Sequence, residues 1–162
     1  MPVTIPQGLL SQRDLGADWS RWLDRLPRLT DELVADWHLT PTGAPLHGSC
    51  SLVVPVTDAD GAAAALKISF DGDDESLHEG LALQHWGGRG AVRLMRADPR
   101  RRALLLERLH PEDLATVGYQ DAAEVVAGLY GRIHLPALPQ LRTVTSYVGG
   151  WLDDLATLGR DA

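Results

Sequence analysis

Cysteine is nearly missing from this chain: Cys50 stands alone among 162 residues. That excludes an internal disulfide and any zinc site built on Cys-x-x-Cys pairs, and a reducing, cytoplasmic setting is the expectation. Positive charge is also short. Fifteen Lys and Arg against 22 Asp and Glu give a formal charge of −7, which argues against a general nucleic-acid surface, since such a surface needs a basic face. The one basic cluster, Arg100-Arg101-Arg102 after Asp98-Pro99, reads as a solvated tight turn between strands. No apolar run reaches the roughly 18 residues of a membrane span. The amino terminus lacks the basic start and long apolar core of a secretory signal. Internal repeats are missing as well.

What remains is an ordinary globular composition, 44% apolar and 23% charged, enough for the packed core of one domain. Residues 1–16, with Pro2, Pro6 and Gly8, suggest an extended arm. Over 17–39, Trp19, Trp22, Leu23, Leu26, Leu29, Leu33, Val34 and Trp37 recur three and four apart, the stripe of one or two amphipathic helices whose tryptophans serve packing. Pro27 marks a restart, with Thr30 or Asp31 as a cap for the second segment. After Thr40-Pro41-Thr42-Gly43 the texture turns to short strands at 51–57, 63–70, 91–96 and 103–109, joined in pairs by the turns at 57–61 and 97–100. Pro55 demotes the first of these to an edge or a bulge. Residues 73–86 read as a helix, capped by Asp73 or Asp74 and ended by Gly87-Gly88. With an upstream strand around 39–49, the fold class is α+β: a five-stranded antiparallel sheet with one inserted helix, preceded by amphipathic helices. Two more helical stretches follow at 119–134 and 141–158. The organisation expected is an arm and helices over 1–39, a sheet and helix over 40–109, and a linker with helices over 110–162.

Chemistry concentrates at Lys67 and Glu79. A lysine ending a buried strand and a glutamate in the next helix can meet as an ion pair, and a mobile ammonium so held can bridge nucleotide phosphates. Asp73, Asp74 and Glu75 compete for the lysine, but Leu77, Leu81 and Leu83 place Glu79 within the helix body. Small residues in the turn Leu46-His47-Gly48-Ser49-Cys50-Ser51 allow backbone amides to approach phosphate oxygens, although an ordinary hairpin loop has the same composition. Other constellations fail on spacing. His78-Glu79 is followed by Ala82 where a zincin needs histidine, and Gly88-Arg89-Gly90 lacks the third glycine of a dinucleotide loop. Cys50 near His47 lacks an orienting acid. His110 and His134 read as a linker residue and a helix-end residue.

Taken together, DWSRWLDRLPRLTDELVADWHL, HGSCSLVVPV, ALKIS, HEGLALQHWGG and ALLLERL, in this order over about residues 20–135, resemble the aminoglycoside/hydroxyurea antibiotic-resistance kinases, the family of the streptomycin 6-phosphotransferases. The resemblance implies a protein-kinase-like amino-terminal lobe and an ATP- and magnesium-dependent transfer of phosphate to a hydroxyl of a small, often sugar-like acceptor. It implies that Lys67 holds the phosphates, Glu79 orients Lys67, Gly48, Ser49, Cys50 and Ser51 line the phosphate loop, and Glu107, Arg108 and Leu109 form the adenine hinge. Family members carry a His-Gly-Asp catalytic loop and later metal ligands; this chain has no His-Gly-Asp. The expectation is therefore a truncated second lobe, with the general base and metal ligands beyond Ala162 and no turnover by the chain alone. The competing expectation is a non-catalytic lobe that acts by binding, with exposed helical faces pairing as a homodimer.

Overall fold

The computed structural model describes residues 3–158. Six antiparallel strands form one sheet: β1 (Thr40–Pro41), β2 (Leu46–His47), β3 (Ser51–Thr57), β4 (Ala63–Ser69), β5 (Leu94–Asp98) and β6 (Ala103–Glu107), in the order β1-β3-β4-β6-β5 with β2 also on β3. The helices are α1 (Gln7–Leu10), α2 (Ala17–Asp36), α3 (Glu79–Trp86), α4 (Tyr119–Ile133) and α5 (Val144–Leu158). The expected mixed architecture, with a helix inserted between two hairpins, is observed.

Period-two alternation decides what each face of the sheet meets. Leu52, Val54 and Val56 of β3, Ala64, Leu66 and Ile68 of β4, and Ala103 and Leu105 of β6 turn one way. They share an apolar cluster with Trp22, Leu23, Leu26 and Leu33 of α2. Leu104 and Leu106 turn the other way and pack with Leu83 and Trp86 of α3. The sheet is thus covered on both sides, and Lys67, between Leu66 and Ile68, takes the α3 side.

Both hairpins use one device. The Asp58 carboxylate accepts from the amides of Asp60 and Ala62 at 3.0 and 2.8 Å, and that of Asp98 from those of Arg100 and Arg101 at 3.0 and 3.1 Å. Such a turn closes on its own side chain, so its position is set locally.

Five expectations need correction. The arm at 1–16 is not extended throughout: α1 and a 3-10 turn over Ser11–Leu15 occupy it, because Leu9 is driven fully into the core. Pro27 starts no second helix. It lies inside the continuous α2, and Thr30, far from capping anything, is buried with its hydroxyl donating to Leu26 O at 2.7 Å. Burial of the apolar stripe on both sides of Pro27 outweighs the one backbone bond proline forfeits. The expected strand at 39–49 is two short strands, which makes the sheet six-stranded by count. Pro45 lacks an N–H, and after Thr42 the chain leaves the ladder until Leu46. Pro55 lies in a strand with neighbours on both sides, but its carbonyl accepts from Thr42 N at 2.9 Å, so its missing N–H faces the gap between β1 and β2. Finally, the helix expected over 73–86 opens as a 3-10 turn, Glu75–His78, and becomes α-helical only at Glu79.

The last helices attach at two points, the end of α3 and the 3-10 turn that leads into it. Trp86 Nε1 and His85 Nε2 donate to Ile133 O and Pro136 O, both at 3.0 Å, and the Tyr147 hydroxyl donates to Glu75. Tyr119, Val125, Tyr130, Val144, Trp151 and Leu152 on α4 and α5 stay exposed. No helix of the described residues is long and apolar enough to cross a membrane.

Candidate nucleotide site

Lys67 sits in the middle strand of the sheet, opposite Val53 on β3 and Leu104 on β6. Beyond it the chain must turn sharply towards α3, and Phe70 anchors that turn. Its ring stacks on Trp19 at 4.0 Å between centroids, with Trp22 edge-on at 5.6 Å, and its amide donates to Cys50 O at 2.8 Å. Asp73 then accepts from Glu75 N at 3.1 Å, opening the 3-10 turn that leads to Glu79. Gly87 ends α3 in the left-handed region, φ 58°, with its amide donating to Leu83 O; a side chain there would be strained.

These constraints bring Lys67 Nζ to both carboxylate oxygens of Glu79, at 2.6 and 2.8 Å. The two side chains are 23% and 26% exposed, so the pair is half-sheltered rather than buried. A bidentate carboxylate spends two ammonium protons on orientation and leaves the third free for another anion. Glu79 does this from the first residue of α3, not from the helix body as the leucine spacing suggests.

The remaining candidates occupy two other regions. Gly48 N donates to Ser51 O at 2.9 Å, and a side chain on Gly48 would come within 3.1 Å of Ser51 Oγ, so the turn is tight. Ser49 is exposed, Cys50 half-buried, and Ser51 buried as the first residue of β3, opposite Ser69. His47 Nδ1 donates to Gly48 O at 3.1 Å rather than addressing the thiol. At the far end of β6, Glu107 turns back on the strand before it and accepts from Arg93 N at 2.7 Å. Arg108 donates to Thr42 Oγ1 at 3.1 Å, and Leu109 lies exposed beyond the last ladder pair, Ala64 with Glu107.

Burial pushes the Cys50 thiol above its ordinary value; the negative field of Asp73 and Glu75 adds to the shift and Lys67 opposes it. A raised thiol holds less thiolate at a given pH, the opposite of what a nucleophile needs. Alkylation of Cys50 by iodoacetamide at pH 8 is therefore expected to run severalfold slower in the folded chain than in urea. Equal rates would show that the folded thiol is not so held.

Glu79 has a second neighbour that sequence reasoning missed. A cavity of about 640 Å³ lies between α3 and residues 141–147, with Glu79, His78, Leu83 and Trp86 on one side and Arg142 and Tyr147 on the other. Neither Lys67 nor residues 48–51 line it. The Glu75 carboxylate, by accepting from Tyr147, holds that phenol above its ordinary value. No signal within either segment announces this meeting across 72 positions.

A lysine–glutamate pair set between an antiparallel sheet and its inserted helix matches the kinase arrangement, and comparison with known families agrees. Residues 36–148 match the model of the aminoglycoside/hydroxyurea antibiotic resistance kinases. The chain belongs to this family. It is 39% identical to a streptomycin 6-kinase of Streptomyces glaucescens and 37% to one of Streptomyces griseus, in both cases over 94% of this chain and 51% of the relative. It is 39% identical to a hydroxyurea phosphotransferase of Kitasatospora aureofaciens over 93% of this chain and 46% of that protein. The chain thus spans about half the length of the relatives it matches.

Proposed function

We propose that this chain is the nucleotide-binding part of a phosphotransferase that uses ATP to phosphorylate a hydroxyl of a small molecule, an aminoglycoside of the streptomycin type. The bidentate Lys67–Glu79 pair carries the reading, in a family of kinases. Lys67 holds phosphate oxygens with its free proton, and Glu79 keeps the ammonium in place. Ser49 and Cys50 offer backbone amides to the phosphates, Gly48 closes the turn through its own amide, Ser51 anchors that turn in β3, and backbone groups from Glu107 to Leu109 meet the adenine edge. In this division residues 1–39 brace the sheet, 40–109 bind nucleotide, and 110–162 begin the helical half. ATP with magnesium supplies the phosphoryl group and the charge that shields it.

The general base and the metal ligands come from outside these residues. The sequence has no His-Gly-Asp, and among the described residues no group of three or more His, Cys, Asp or Glu is placed to hold a metal ion. Calorimetric titration of the purified chain with ATP and magnesium, beside a Lys67→Ala variant, tests the binding role. Lys67-dependent phosphorylation of streptomycin by the chain alone would overturn the division of labour.

The exposed apolar side chains of α4 and α5 favour a second reading, in which these faces pair with a second copy of the chain. Light scattering at high concentration should then give twice the monomer mass; a monomeric mass removes this reading.

A further inference from the structure

The arginine turn is only in part a solvated loop: Arg100 is exposed, while Arg101 and Arg102 are partly buried. Arg25 and Arg28 of α2 and Arg100, Arg101 and Arg102 of the β5–β6 turn line one pocket of about 390 Å³, whose wall includes neither Lys67 nor Glu79. Two carboxylates, Glu32 and Asp71, also line it. Arg28 Nε lies 2.7 Å from Glu32, Arg25 pairs with Asp71, and Arg101 is held from outside the lining by Asp98 at 2.7 Å and Asp36 at 2.6 Å. Arg100 and Arg102 form no ion pair among the described residues. Arg102 is the more telling of the two. Its Nη2 donates to Asp73 O, while Nε and Nη1 are shut off from solvent and meet no acceptor.

Two guanidinium nitrogens shut off from water without an acceptor are costly, and no carboxylate among the described residues pairs with the charge they carry. In a chain of net charge −7, five arginines around one small pocket are also not a matter of composition. We propose that this pocket binds a small phosphate-bearing anion, with Arg100 and Arg102 as its principal ligands. The pairs that hold Arg25, Arg28 and Arg101 fix the wall, and rotation about the outer bonds of Arg102 turns its unused edge to the anion. Planar N–H forks suit tetrahedral oxyanions, which accept two hydrogen bonds from one guanidinium. The proposal is independent of the nucleotide reading, because the two sites share no side chain.

Inorganic pyrophosphate is the probe, titrated calorimetrically at constant ionic strength into the full chain carrying Lys67→Ala, so that the other candidate phosphate site is weakened. Saturable binding is expected, weakened about tenfold by Arg100→Ala and by Arg102→Met, the loss of one charge-assisted contact. Arg89→Ala, an exposed arginine away from the pocket, should leave it unchanged. If Arg102→Met fails to fold, Arg100→Ala decides alone, since that side chain makes no hydrogen bond among the described residues. No saturable binding, or binding indifferent to Arg100, overturns the proposal.

Discussion

Alanine at Lys67 is expected to weaken ATP binding by ~10- to 100-fold, the equivalent of one lost charge-assisted contact of ~1.5–3 kcal/mol to the phosphates. Glu79 sharpens the expectation. With the ammonium gone, its carboxylate faces the phosphate site uncompensated, and like-charge repulsion adds to the missing attraction. Glu79→Gln should do less, because the ammonium remains and only its orientation loosens. Stability should respond in the other proportion. A pair whose members are 23% and 26% exposed is partly screened by water, so either substitution should cost no more than ~1 kcal/mol in a urea titration. The two readouts therefore separate a binding role from a packing role: unchanged ATP affinity in Lys67→Ala, with a large loss of stability, would make the pair a structural strut and remove the nucleotide reading.

Trp22→Ala is expected to give the largest loss of stability of any single change considered, ~3–5 kcal/mol, the usual range for removing a large aromatic from a packed core. Trp22 is 1% exposed, packs in the cluster that joins α2 to the sheet, and meets Phe70 edge-on. The void cannot collapse cheaply, because β3, β4 and β6 hold their register through full ladders while Trp19, edge-on to Trp22 at 5.7 Å, is already stacked on Phe70. For a chain of this size each kcal/mol moves the melting midpoint by roughly 2–4 °C, so a fall of about 10 °C is the expected reading in a thermal melt. Phe70 also begins the turn between Lys67 and Glu79, so ATP affinity should fall along with stability. A melting point within a degree or two of the parent would show that the aromatic cluster contributes little.

The two hairpins, the inserted helix and the strand that carries Lys67 were legible because their signals are local, although that strand runs two residues past the lysine, to Ser69. Asp58 and Asp98 close turns on amides two to four residues away. Gly87 stops a helix through its own backbone, and alternation along β3 and β4 marks a face before any partner is known. The misreadings share the opposite property. At Pro27 and in the arm, local propensity points one way and burial of Leu9, Leu26 and Thr30 overrides it. The upstream strand reads as continuous in sequence because the gap opposite Pro55 exists only once β3 is in place. Glu107, whose carboxylate accepts from Arg93, and Glu75, which accepts from Tyr147, are committed to contacts that no spacing rule predicts.

By itself, then, the sequence determined the α+β class, the pairing of neighbouring strands and the identity of the lysine and glutamate most suited to meet. Each of those rests on interactions spanning a few residues, or one hairpin and the helix beside it. Only the tertiary structure decided that Glu79 opens α3, that residues 141–147 wall a cavity beside it, and that Arg102 lies with two nitrogens shut off from water. Those outcomes depend on which distant surfaces exclude water together, a competition among all the apolar faces of the chain at once, and no stretch of residues read alone contains its result.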